Sequence, residues 1–176
     1  MALLRHLKTV CKHRHRVFLH CIKAGIPLQG LLHDLSKFSP TEFIPGVRYY
    51  QGTRSPNERE RELNGFSAAW MHHKGRNRHH YEYWTDYNPA TKRIEPVKMP
   101  RKYVTEMFCD RVAASKIYRG KDYRDTDSLE YYRRGSASKT MHPDTAKELE
   151  QLLVILAEQG EEQAFRYARA YRKERK

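Results

Sequence analysis

The stretch HPDTAKELEQLLVILAEQG, residues 142–160, carries the clearest amphipathic pattern in the chain. Pro143 occupies a position where proline favours the first turn of a helix, and Gly160 is a residue type that ends helices. The leucines recur at the three- and four-residue spacing of one helix face, at Leu149, Leu152, Leu153 and Leu156. The stretch therefore predicts a long helix, which Gly160 separates from a basic terminal helix.

Helical periodicity continues through most of the sequence, and capping residues mark the ends of the other helices. The predicted helices cover about 2–24, ended by Gly25 and Pro27; a segment starting at Pro40; 55–74, ended by Gly75; 100–120; and about 127–134. Residues 76–99 contain Asn88-Pro89 and Pro96, and we expect a loop-rich excursion there. The sequence predicts one all-α domain over residues 1–176.

Composition limits the class of protein and its partners. The chain has 34 Lys and Arg against 21 Asp and Glu, a net charge of +13 that favours anionic partners. Its apolar runs are shorter than the roughly 20 residues of a membrane span, and its three cysteines lack the spacing of a disulfide framework or a zinc ribbon. We expect a cytoplasmic protein without a membrane partner. The leucine-rich face of 149–156 suits a second chain as well as the core, which leaves the oligomeric state open.

A histidine and an aspartate stand side by side at the end of an apolar run in GLLHDLSKF, residues 30–38. Further along, WMHHKGRNRHHYEYW contains two histidine pairs around a glycine, and Asp110 lies inside an apolar helical segment. A carboxylate on a buried stripe needs a partner, and a metal ion is one such partner. His6, His13 and His20 recur every seven residues and therefore lie near one face of the first helix.

Each of these residues also has an ordinary explanation. A single helical histidine is commonly a packed or solvated side chain, the histidine pairs can contact nucleic acid, and Asp110 can pair with an arginine. Imidazoles and carboxylates together suit Mn, Fe, Zn or Ni. Sequence spacing alone does not decide between these explanations.

The order His13, then His33-Asp34, then Asp110 resembles the HD superfamily of metal-dependent phosphohydrolases. HDLSK is similar to the HDxGK of its HD-GYP branch, with Ser36 in place of glycine, and His72-His73 corresponds to the paired histidines of that branch. DRVAASKIYR is similar to a further HD-GYP segment, although Ala113 replaces a second aspartate and no GYP element follows. Across nearly the whole chain, HDLSKFSPTEF, HHKGRNRHHYEYW and MPRKYVTEMFCDRVAASKIYRG resemble an uncharacterised family of small HD-like proteins.

This resemblance implies an HD-like helical bundle that binds one or two divalent ions (Mn, Fe, Ni, Zn or Mg). A first ion would be held by His13, His33, Asp34 and Asp110. A second would be held or completed by His73 and His80, with His72 or His79 as a further ligand. The implied activity is hydrolysis of a phosphoester in a nucleotide or small phosphorylated metabolite.

The predicted roles of the surrounding residues complete this hypothesis. We expect Asp34 and Lys37 to be catalytic, and Lys37, Arg76 and Asn77 to bind the substrate phosphate. Glu106 lies one helical turn before Asp110, where it can orient a ligand.

Three alternatives remain open from the sequence. The basic surface and the aromatic-rich segment KGRNRHHYEYW permit nucleic-acid binding without catalysis, and HHKGRNRHH is similar to a His-Asn-His nuclease pattern. The third possibility is a degenerate HD scaffold whose metal is structural.

Overall fold

The structure, a computed structural model, describes residues 2–172 and is mostly helical. The prediction of an all-α fold is confirmed. Residues 173–176, most of the basic C-terminal run RKERK, lie outside the described part of the chain. The helices are α1 (Ala2–Lys23), α2 (Pro27–Leu32), α3 (Pro40–Arg48), α4 (Pro56–Asn64), α5 (Ala68–Lys74), α6 (Arg101–Arg119), α7 (Asp127–Arg134), α8 (Ala137–Thr140) and α9 (Pro143–Tyr171).

Most predicted helix ends agree with the observed ones, but the predicted helix over 55–74 is wrong. It divides into α4 and α5 because Gly65 adopts a left-handed backbone with φ 79°. Gly160 likewise interrupts α9, with φ 83° and ψ 173°, so the predicted separation at this residue is observed.

The excursion at 76–99 contains more regular structure than the sequence predicts. Strands β1 (Thr85–Asn88) and β2 (Arg93–Pro96) form an antiparallel hairpin in which Tyr87 pairs with Ile94. A short 3-10 turn at Tyr81–Tyr83 precedes it. The hairpin is mostly exposed, so alternating burial gave little signal in the sequence.

The hydrophobic core lies between α1, α6 and α9. Buried residues come from all three helices, and the leucine stripe of α9 is fully buried. Because α2 packs directly on α1, Gly30 has no room for a side chain: a Cβ there would lie 2.5 Å from Cys21 Cβ. Close packing of these helices brings the α2 end to the side of α1 and α6. No helix formed by the described residues has the length and apolar character needed to cross a bilayer.

Candidate metal centre

The candidate site lies where the ends of α2 and α5 meet the middle of α1 and α6. His33 caps the end of α2, and Asp34 follows it with a left-handed backbone at φ 53°. Positive φ is uncommon outside glycine and is found at functional sites that tolerate backbone strain. The turn leaves both His33 and Asp34 only 2% exposed.

A first cluster consists of His13, His33 and Asp110, whose potential ligand atoms lie within 4.8 Å of one another. Oδ1 of Asp110 is 2.9 Å from His13 Nε2 and 3.6 Å from His33 Nε2. Oδ2 of Asp34 lies 3.4 Å from the same nitrogen of His33. Residues from three separate stretches of the sequence therefore converge on one point.

A second cluster consists of Asp34, His73, His79 and His80, again within 4.8 Å. Oδ1 of Asp34 is 3.3 Å from His73 Nε2 and 3.5 Å from His79 Nε2. Nε2 of His80 is 2.9 Å from Nε2 of His73. The two carboxylate oxygens of Asp34 thus contact different clusters, an arrangement that permits one carboxylate to bridge two ions.

Glu106 orients one histidine of each cluster, His33 and His79, by contacting the ring nitrogen on the side away from Asp34. Its Oε1 lies 3.0 Å from Nδ1 of His33 and 3.2 Å from Nδ1 of His79. Its other oxygen accepts a 2.8 Å hydrogen bond from the Gln29 side chain. His33, His79 and Glu106 also lie close enough to hold an ion themselves, but these lengths are those of hydrogen bonds, and metal-bound histidines commonly donate their second nitrogen to a carboxylate.

Glu42 on α3 orients His72 and His73 in the same way. Its two oxygens lie 2.7 Å from Nδ1 of His72 and 2.7 Å from Nδ1 of His73. Because a carboxylate accepts, Nδ1 of His73 carries the proton, and a neutral ring then presents the lone pair of Nε2 to Asp34 and His80.

Within the two clusters, some buried polar atoms lack a hydrogen-bond partner. Three buried polar atoms have no hydrogen-bond partner: His33 Nε2, Asp34 Oδ1 and His79 Nε2. An unsatisfied buried polar atom is costly, and each such atom in a native protein calls for an explanation. Imidazole nitrogens and carboxylate oxygens are also the donor set that first-row divalent ions prefer. The residues present therefore fit a metal ion.

The charges of the site are strongly coupled. Burial alone would raise the pKa of Asp34, but His33 and Lys37 hold it well below its ordinary value. Burial would also raise the pKa of Glu106, yet hydrogen bonds from His33 and His79 lower it to about 2. Both carboxylates are therefore ionised at neutral pH.

The pKa values of the histidines shift in opposite directions because their neighbours differ. Burial would lower the pKa of His33, but Asp34 and the carboxylates that hydrogen-bond to the ring raise it well above the ordinary value. For His80, burial and the adjacent His79 and His73 lower the pKa. His80 is therefore neutral at pH 7, the form in which an imidazole binds a metal.

The residues predicted to bind substrate have different surroundings. Lys37 Nζ lies 3.4 Å from Asp34 Oδ2, with its side chain 26% exposed. Asn77 donates hydrogen bonds to Ser36 Oγ (2.9 Å) and to the carbonyl of His73 (2.8 Å), so its amide supports the site from within. Arg76 is exposed on the turn after α5. Their roles toward a substrate stay predictions.

The structure brings together all six predicted metal ligands: His13, His33, Asp34, His73, His80 and Asp110. It also places His79 in the second cluster, where the sequence left it as an alternative to His72, whose Nδ1 contacts Glu42 instead. Glu42 was missed, because an acidic residue three positions after Ser39 is also an ordinary helix-capping signal. The assignment of these side chains as ligands remains a prediction.

Of the three histidines that repeat every seven residues in α1, His13 belongs to a cluster, and His6 and His20 do not. His20 donates from Nδ1 to the backbone carbonyl of Cys109 at 3.1 Å and packs on Phe165. His6 packs between Phe43 and Tyr50. The three histidines lie on one face of α1, but each of them has different neighbours.

Comparison with known proteins gives a family but no described activity. No curated protein and no solved structure matches the chain significantly. A family model described as "Family of unknown function (DUF5662)" matches residues 2–155, which contain every residue of both clusters and both outer carboxylates. The chain therefore belongs to DUF5662, a family of unknown function.

Proposed function

We propose that the protein is a metal-dependent phosphohydrolase with two ions that share Asp34. The observation that carries the proposal is the set of unpartnered buried atoms on His33, Asp34 and His79, while Glu106 holds the opposite nitrogens of both rings. Side chains arranged in this way direct donor atoms of the kind that bind metal toward one small volume.

The proposal includes a distant relationship to the HD superfamily. It is supported by the convergence of His13, the His33-Asp34 pair and Asp110, which follow the HD order along the chain. Helices position all of them, as in the domains that the sequence resembles. His79 and His80 would complete the second ion site.

The substrate would be a phosphoester of a nucleotide or of a small phosphorylated metabolite. Bound divalent ions would supply a water of lowered pKa as nucleophile and would neutralise phosphoryl charge. Lys37 is held beside Asp34 and partly exposed, so its ammonium can contact a phosphate oxygen. Arg76 lies outside the clusters and can bind a second oxygen, whereas Asn77 positions His73.

A turnover panel tests this function. Protein loaded with Mn²⁺, Fe²⁺ or Ni²⁺ is assayed for phosphatase and phosphodiesterase activity, beside the variants Asp34→Ala and His79→Ala. We expect losses on the order of 100-fold or more, because each variant removes a ligand. The matched controls Asp86→Ala and His15→Ala change exposed residues outside the clusters and should retain activity.

Two outcomes would contradict the proposed enzymatic function. Bound metal without turnover on any phosphoester would indicate a structural site in a degenerate scaffold. Nucleic-acid affinity that falls steeply with salt and is unchanged in His33→Ala would favour the basic surface as the functional element.

A further inference from the structure

The short helix α2 and the turn after it expose an apolar stripe to solvent. Leu28, Leu31, Leu32 and Leu35 are 66%, 57%, 55% and 49% exposed. Leu28, Leu31 and Leu32 have the spacing of one face of α2, and Leu35 begins the 3-10 turn that follows. The opposite face, at Gly30, packs on Cys21 of α1. In an ordinary surface helix the apolar face is the buried one, so this stripe has the reverse orientation.

Neighbouring segments extend the apolar surface. Leu19 and Ile22 on α1 are 41% and 45% exposed, and Phe38 after the stripe is 40% exposed. A groove of about 220 Å³ between α1 and α2 is lined in part by Phe18 and Leu31. We call the seven exposed side chains the leucine face: Leu19, Ile22, Leu28, Leu31, Leu32, Leu35 and Phe38. Apolar surface of this extent on a protein is commonly an interaction site.

The segment of the chain that carries five of the seven side chains of the leucine face is basic. Residues 1–33 contain six Lys and Arg and no Asp or Glu. Lys8 and Lys12 are exposed on α1, and exposed Lys102 lies beside α2, where its carbonyl accepts a hydrogen bond from Gln29. The partner of this surface must therefore supply both apolar volume and negative charge.

We propose that the leucine face binds the surface of an anionic lipid bilayer. Exposed aliphatic side chains flanked by lysine and arginine are the composition of helices that lie in the membrane interface. The leucines would insert among acyl chains while the basic side chains contact lipid phosphates. A second copy of the chain would bring two cationic surfaces together, so the charge favours an anionic membrane over a dimer. A membrane partner differs from the expectation drawn from the sequence, and the inference does not rest on the proposed hydrolysis.

Co-sedimentation of the full chain with lipid vesicles tests the inference without any turnover. We expect binding to vesicles of phosphatidylcholine and phosphatidylglycerol in equal parts, and little binding to phosphatidylcholine alone. Leu28→Gln/Leu32→Gln should weaken binding at least tenfold. The control Leu63→Gln/Met71→Gln replaces side chains that are 56% and 59% exposed elsewhere, and it should bind like the parent.

A second pair of variants tests the electrostatic part. Lys8→Glu/Lys12→Glu should lose binding, whereas Lys121→Glu/Lys139→Glu makes the same change in charge at exposed positions away from the face and should bind more strongly than the first pair. Circular dichroism confirms that each variant is folded. The inference is overturned if anionic vesicles do not bind, if the leucine variant and its control bind equally, or if the leucine variant instead abolishes a concentration-dependent dimer.

Discussion

At the scale of single residues, the outer carboxylates determine which nitrogen each histidine presents. Glu42 and Glu106 each contact the Nδ1 atoms of two histidines, which leaves the Nε2 atoms of His33, His73 and His79 facing Asp34. Glu106 also lies in a third group with His33 and His79, and both acids contact the Nδ1 atoms in a way that fixes ring orientation. Outer partners of this kind tune metal affinity as strongly as many direct contacts.

Glu106→Gln should therefore weaken metal binding without unfolding the protein. The amide keeps the size of the side chain but cannot accept from both rings with full negative charge, so we expect affinity to fall about 10- to 100-fold. Calorimetric titration with Mn²⁺ or Zn²⁺ measures the change. Glu130→Gln, at an exposed position on α7, is the matched control, and equal affinity in both variants would contradict this role.

His20 should make the folded state sensitive to acid. Burial lowers the pKa of His20 to about 4, below the ordinary 6.5. As pH falls below 6.5 the unfolded chain binds a proton that the folded chain does not bind until about pH 4. Stability is therefore lost across this window, by at most about 3 kcal/mol from this group.

The variant His20→Leu isolates that contribution. Urea unfolding in the presence of a chelator, at several pH values between 7 and 4, should show a shallower decline for the variant than for the parent. The same decline in both proteins would mean that other groups account for the acid sensitivity. His15→Leu, at an exposed position of α1, controls for the loss of an imidazole.

At the scale of secondary-structure elements, most helix limits could be predicted because local signals coincide with them. Pro40 and Gly120 occupy the expected ends of α3 and α6. The break at Gly65 was missed because a single glycine inside a helical pattern is compatible with either a continuous or a divided helix. Gly65 is the C-cap of α4, and Ser67 then begins α5 by accepting a hydrogen bond from the Trp70 N–H.

Prediction of the candidate site from local sequence has the same limit. The inner ligands could be proposed from residue type and order, whereas the choice of His79 over His72 depends on packing, because His72 on α5 contacts Glu42 and His79 on the turn after α5 contacts Asp34. Sequence neighbours at the end of a helix point in different directions, and only packing decides which of them contacts Asp34.

Contact between α1 and α3 depends on a glycine. A Cβ at Gly46 would collide with the ring of His6, so α3 would have to move away from α1. Because α3 carries Glu42, Gly46→Ala should destabilise the fold by about 1–3 kcal/mol and weaken metal binding together.

Thermal unfolding and metal titration of the same variant measure the two effects. Gly135→Ala is the control, because a Cβ there meets no atom closer than 3.6 Å and its φ is negative. A Gly46→Ala protein with the stability and affinity of the parent would show that α3 does not need this close approach.

At the scale of the whole molecule, the clusters join segments that are distant along the chain. α1, the end of α2, the α5 region and α6 each contribute side chains, so an ion bound there would connect most of the N-terminal two thirds of the fold. A ligand that binds only the folded state stabilises it in proportion to the logarithm of its concentration over its dissociation constant. Stability and metal content should therefore vary together.

Elemental analysis of the purified chain, combined with unfolding temperature, is the most direct measurement of the central claim. We predict about two equivalents of first-row metal in the parent, a raised unfolding temperature that a chelator reverses, and loss of both properties in folded Asp34→Ala, with Asp86→Ala unchanged. A folded parent protein that binds no divalent ion, or an Asp34→Ala variant that retains the full metal content, would contradict the account.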